Sequence, residues 1–125
     1  MPGPAIAPYD PDNIFARILR GEIPSRRVFE DEFAIAFHDL HPLTPIHVLV
    51  IPRGSYVSWA DFSARASDAE IAGFVRAVGS VARQLELEEP GYRLLANAGL
   101  DAHQEVPHLH VHLFGGRPLG PMLAG

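Results

Sequence analysis

Three imidazoles recur at intervals of two near the C-terminus, in His108-Leu109-His110-Val111-His112-Leu113-Phe114. On a β-strand, side chains alternate between faces, so His108, His110 and His112 would share one face and Leu109, Val111 and Leu113 the other. The apolar face can pack on a core and leave the imidazoles on the open one. Folding alone has no need of that arrangement, because Thr, Lys or Glu would serve a solvated face as well. Imidazole is the side chain whose ordinary pKa lies near neutrality. A central His with a neighbour on each side can attack an electrophile such as phosphorus while the neighbours bind phosphate oxygens or move protons. Two other readings compete. One is a polar sheet face that is merely rich in His. The other is a metal site, but the outer two Cα atoms would lie about 13 Å apart along a strand, so all three cannot readily clasp one ion. A further ligand such as His47 would be needed.

Elements must position these groups, and the chain supplies them in a clear order. The spacing of Ile14, Phe15, Ile18 and Leu19 predicts a short helix stopped by Gly21. Arg27–Glu30 and Phe33–Phe37 read as a hairpin turning at Asp31 and Glu32, and His47–Pro52 as a buried strand. Between them Asp39-Leu40-His41-Pro42-Leu43-Thr44-Pro45 reads as a rigid loop. Ser67 and Glu70 form a capping-box pair, after which Ile71, Phe74, Val75, Val78, Val81, Ala82 and Leu85 make one helical stripe, ended by Pro90 and Gly91. Tyr92–Ala98 and Val106–Phe114 read as the last two strands, with a loop over 99–105 between them. Consecutive strands interrupted by one helix favour an α+β domain: an antiparallel sheet of about five strands, one long helix and one short. The expected organisation is one domain over 1–125, with an extended arm at 1–11 and a Gly- and Pro-rich tail at 115–125.

Composition excludes several classes. The 125 residues are 47% apolar and 20% charged, a globular balance. Ten basic against fifteen acidic side chains leave a net charge of −5, which disfavours a nucleic-acid polymer as partner and points to a small ligand in a pocket. The chain has no cysteine, so thiolate nucleophiles, disulfides and Cys-based zinc sites are out, and a reducing, cytoplasmic setting suits it. No apolar run is long enough to span a bilayer, and the N-terminus does not read as a signal peptide.

HLHVHLF resembles the signature of the histidine triad (HIT) proteins. Flanking blocks occur in the same order: NIFARILRGEIPSRRVFEDE, AFHDLHPLTPIHVLVIP, the strand with Asn97, QEVPHLHVHLFGGR and PLGPMLAG. Gly115, Gly116 and the tail look like the Hint branch, nucleoside phosphoramidate hydrolases. The resemblance implies a hydrolase, with no cofactor and no metal, that cleaves the P–N bond of purine nucleoside phosphoramidates through a covalent nucleotidyl-histidine. It implies His110 as the nucleophile, His112 as the residue that contacts the phosphate and assists the leaving group, and His108 and His47 as the network that orients the nucleophile. By the same resemblance Asn97 and Gln104 hold the phosphate region, Asp39 accepts hydrogen bonds from the ribose hydroxyls, and Ile14, Phe15, Ile18, Phe37, His38 and Leu40 wall the purine. A homodimer is also implied, the tail of one chain reaching its partner's site.

Plainer roles stand beside these. Ile14, Ile18 and Phe37 could be core, Asp39 could cap its loop, Asn97 could form a turn, and His47 could be an ordinary strand residue. His41 and His103 read as loop histidines. Glu105 stands where some relatives carry a hydroxyl that can donate a hydrogen bond, which an ionised carboxylate cannot. A nucleotide-binding module with little turnover is the alternative from another class.

Overall fold

A computed structural model describes residues 3–122; the first two residues and the last three, including the end of the expected tail, lie outside the described residues. The elements run α1 (Ile14–Leu19), β1 (Arg27–Glu30), β2 (Ala34–His38), β3 (Ile46–Pro52), α2 (Trp59–Arg65), α3 (Asp68–Gln84), β4 (Arg93–Leu95) and β5 (Val111–Gly115). The five strands form one sheet in the order β1-β2-β3-β5-β4, every neighbouring pair antiparallel. This is the expected α+β architecture. None of the helices among the described residues is long and apolar enough to cross a membrane.

The sheet is apolar on both faces, which is why its central strands read as nearly continuous apolar runs. Ala34, Ala36, Val48, Val50, Val111 and Leu113 pack against the long helix through Phe74, Ala77, Val78 and Val81. Ile35, Phe37, Leu49 and Ile51 point the other way and meet Phe15 and Ile18 of α1. That second face also carries His47 and His112, on strands paired so that Leu49 lies opposite His112 and His47 opposite Phe114. The short helix thus covers part of a face and leaves the remainder for polar groups. Caps begin all three helices: Asn13 accepts from the Ala16 amide, Ser58 from Asp61, and Ser67 with Glu70 closes the anticipated capping box.

Three expectations need correcting. A third helix, α2, follows Ser58; its first turn holds Asp61, which accepts from the Val57 amide and pairs with Arg65 one turn on. Seven residues are too few for the apolar period to stand out. The fourth strand is Arg93–Leu95 rather than Tyr92–Ala98. The fifth is Val111–Gly115, so His108 and His110 precede the strand and only His112 lies in it. Pro107 has no amide to give to a ladder. Leu109 sends its amide to the Tyr56 carbonyl. The Pro52 carbonyl at the end of β3 accepts from the His108 imidazole instead of from a backbone amide. A side chain therefore ends the β3–β5 ladder.

Gly73 in α3 faces Phe33, and a Cβ there would lie 2.3 Å from that ring. Replacing a helix-interior glycine by alanine ordinarily gains about 1 kcal/mol. Here the clash reverses the sign: Gly73→Ala should lose about 1–3 kcal/mol through overpacking. Urea unfolding of the two proteins checks this, and a raised midpoint in the variant would contradict it.

Candidate active site

Four imidazoles gather along β3 and the segment that leads into β5, and their hydrogen-bond partners fix their tautomers. His110, 8% exposed, has Nδ1 at 2.8 Å from the His108 carbonyl. A carbonyl oxygen only accepts, so Nδ1 carries the hydrogen and Nε2 keeps a free lone pair. The ring is held edge-on by Phe15 at 4.9 Å and meets the His112 ring at 5.1 Å. His108 is wholly buried rather than on an open face. Its Nε2 donates to the Pro52 carbonyl at 2.8 Å and its Nδ1 accepts from the Tyr9 hydroxyl at 2.6 Å. Both nitrogens of His108 are therefore committed, and what the residue offers the site is its backbone carbonyl.

A second pair sits beside the first. The Leu43 amide donates to Nδ1 of His47 at 3.2 Å, which puts the His47 hydrogen on Nε2. That Nε2 lies 2.9 Å from Nδ1 of His112 and donates to it, so neutral His112 carries its hydrogen on Nε2. Of the four imidazole hydrogens, this one alone has no acceptor among these bonds. Phe114 stacks parallel to His112 and lies 4.3 Å from His47. Asp39 accepts from the His41 amide at 2.8 Å through one carboxylate oxygen and places the other 3.5 Å from Nε2 of His47.

Burial keeps these rings neutral. It pushes His108 down to about 4, with the Pro52 hydrogen bond opposing. His112 is also pushed down to about 4 by burial, reinforced by the nearby His110 and His47. His110 and His47 are lowered by burial as well, each partly offset, His110 by its bond to the His108 carbonyl and both by the Asp39 charge. A lowered pKa leaves the free base in place at neutral pH.

The remaining expected site residues are distributed unevenly. Gln104 is buried, accepts from the Gly99 amide and donates to the Val57 and Val106 carbonyls, so both of its N–H groups are spent on backbone. Asn97 is half-buried two residues beyond β4. Phe15, Ile18 and Phe37 are buried together in the layer under α1, His38 is half-buried, and Ile14 and Leu40 are exposed. Glu105 is exposed and pairs with His103 at 2.8 Å. The three alternating histidines do not converge as metal ligands. The grouping that could hold an ion, among the described residues, is Asp39, His47 and His112, whose ligand atoms lie within 4.8 Å of one another. Tyr9, Phe114 and the Leu43 amide were not anticipated, and neither motif nor spacing singles out Tyr9.

Comparison with known proteins identifies the family. Residues 20–119 match the HIT domain family. A HIT-like protein of Azospirillum brasilense is 65% identical over 115 residues, 92% of this chain and 94% of its own. The purine nucleoside phosphoramidase of Escherichia coli K12 is 42% identical over 113 residues, 90% of this chain and 94% of its own. A solved structure of a HIT family hydrolase from Clostridium thermocellum, 38% identical, superposes with a TM-score of 0.81 over 90% of this chain and 97% of that one. With a triad of histidines poised around one free imidazole nitrogen and likeness running over most of its length, the chain belongs to the HIT family and is a hydrolase.

Proposed function

We propose that the protein hydrolyses the P–N bond of purine nucleoside phosphoramidates and related nucleoside 5′-phosphate derivatives through a covalent nucleotidyl-His110 intermediate, releasing the nucleoside monophosphate. The observation that carries this reading is the bond from Nδ1 of His110 to the His108 carbonyl, which leaves Nε2 unprotonated on a buried, neutral ring. Such a nitrogen is a nucleophile without further activation. Nε2 bonds to phosphorus as the P–N bond breaks, and the electron pair leaves on the amine nitrogen. That nitrogen takes the Nε2 hydrogen of His112, which solvent restores. Water then attacks phosphorus, the bond to His110 breaks, and the water proton passes to solvent. His112 and backbone amides of the loop before β5 would meet the phosphoryl charge. Asp39 would accept the ribose hydroxyls with the lone pairs that His41 leaves free. The name of the Escherichia coli relative, purine nucleoside phosphoramidase, supports this substrate class.

A metal-centred reading rests on the closeness of Asp39, His47 and His112. One experiment separates the two. Removing the nucleophile closes the covalent route, so His110→Ala should lose at least about a thousandfold in turnover of an adenosine phosphoramidate, and the parent should keep its rate in chelator. Turnover within tenfold of the parent would retire His110. Loss on chelation with recovery on adding zinc would move the assignment to the metal.

Acid should stop the reaction late. Free imidazole titrates near 6.5, and burial lowers His110 from there. The acid limb of kcat/KM should therefore have its midpoint below 6.5. A limb centred at or above 6.5 would show that His110 does not govern activity.

We also infer that the protein works as a homodimer, joined along β4 and α3. β4 is a three-residue edge strand beside an apolar groove of about 630 Å³ lined by Trp59, Val75, Val78, Tyr92 and Leu94. Most of these side chains are exposed in the single chain, a surface of the kind that marks an interface. Sedimentation at micromolar concentration should give twice the chain mass for the parent and the chain mass for Leu94→Glu. A monomeric parent would refute the dimer.

A further inference from the structure

The arm ahead of α1 carries Tyr9, whose hydroxyl lies 2.6 Å from Nδ1 of His108, the rings meeting edge-on at 5.6 Å. Because Nε2 of His108 donates to the Pro52 carbonyl, Nδ1 of the neutral ring is an acceptor and the Tyr9 O–H must donate to it. Two bonds thus pin a wholly buried ring, one from the end of β3 and one from the arm. The carbonyl of the same residue receives Nδ1–H of His110. The Pro52 carbonyl, which can only accept, sets the tautomer, and the Tyr9 hydroxyl satisfies the remaining nitrogen and holds the plane of the ring.

Tyr9 is itself well anchored. The Asp10 carbonyl next to it accepts from both the backbone amide and the side-chain amide of Asn13. Asn13 caps α1, the helix whose Phe15 rests against His110. The flanking Pro8 and Pro11 restrict the backbone on either side. Further out, the Ala5 carbonyl accepts from the Ser58 hydroxyl and the Gly3 amide donates to the Gln104 carbonyl. The arm therefore crosses the loops that support the histidines, and Tyr9 is its one contact with a triad side chain among these bonds.

We propose that Tyr9 is a positioning residue for hydrolysis: its hydroxyl holds the His108 ring in a single orientation, and through the His108 carbonyl it aims Nε2 of His110. The proposal rests on the reading of His110 as nucleophile. It assigns a reaction-specific role to an arm that otherwise looks like packing.

Tyr9→Phe keeps the ring and removes the donor. Imidazole ¹⁵N spectra should show His108 protonated on Nε2 in both proteins, with its Nδ1 resonance moved in the variant by loss of the Tyr9 bond. Misaiming a reacting group costs rate rather than affinity, so kcat for an adenosine phosphoramidate should fall about ten- to hundredfold with KM within about threefold. Removing residues 1–7 while keeping Tyr9 should leave both the His108 Nδ1 resonance and kcat near the parent values. Unchanged kcat in Tyr9→Phe, or a loss with the His108 Nδ1 resonance unmoved, would overturn the proposal. So would an equal loss on removing residues 1–7, which would make general packing of the arm the cause. A parent spectrum with His108 protonated on Nδ1 overturns it without any variant. Absence of turnover in the parent would instead sink the nucleophile reading, and the Nδ1 comparison would still judge the Tyr9 bond.

Discussion

A backbone carbonyl, that of His108, decides which nitrogen of His110 can react, and most of the local structure serves to hold that carbonyl still. The carbonyl accepts Nδ1–H at 2.8 Å, so the lone pair is left on Nε2. Moving the hydrogen to Nε2 would present an N–H to the site and aim a lone pair at the carbonyl oxygen, two acceptors face to face. In a region this buried, such a mismatch costs the full desolvation of an unpaired group, on the order of 1–3 kcal/mol. The tautomer is thus selected by folding free energy rather than by the substrate.

The same need for satisfaction shapes the sheet around it. Ordinary pairing would carry β5 back past His110 along β3. Instead the His108 ring takes the last β3 carbonyl, the Leu109 amide turns to Tyr56, and the strand begins at Val111. Two consequences follow from that interruption. His108 and His110 escape the strict alternation of a strand, so one goes inward and the other stays at the surface of the core. Also, the His108 carbonyl is freed from the ladder and becomes available to a side chain. Gln104 stabilises the approach to this segment with three backbone bonds, and loops without a ladder need such partners to be buried at all.

Electrostatics in the cluster run against the charge of the chain as a whole. The protein is net acidic, yet the groups nearest the free nitrogen are neutral rings. Four imidazoles this close cannot all be charged, because each cation would raise the cost of the next and none is well solvated. Directional hydrogen bonds take the place of charge. The run from the Leu43 amide through His47 to His112 ends in one outward N–H, and the run from Pro52 through His108 to His110 ends in one bare lone pair. A donor and a nucleophile are thereby set side by side without an ion between them.

How much of this the amino-acid order fixes depends on range. Period-two and period-3.6 patterns are local, so Arg27–Glu30, the β2–β3 pair, the capping box at Ser67 and Glu70 and the stripe of α3 are legible from the chain alone. The alternating histidines are equally legible as a chemical group, and the resemblance to HIT proteins implies that His47 joins it. The strand drawn through His108 and His110 is not what the chain adopts, because the bond from the His108 ring to the Pro52 carbonyl depends on what lies 56 residues away. Burial of His108, the tautomers, the placement of Asp39 beside His47 and the reach of Tyr9 across 99 residues are likewise decided by tertiary contacts. Local periodicity tells which face a side chain can occupy. Which nitrogen of a ring is protonated depends on the donor or acceptor facing it, and in this protein those partners are brought from distant parts of the chain by packing.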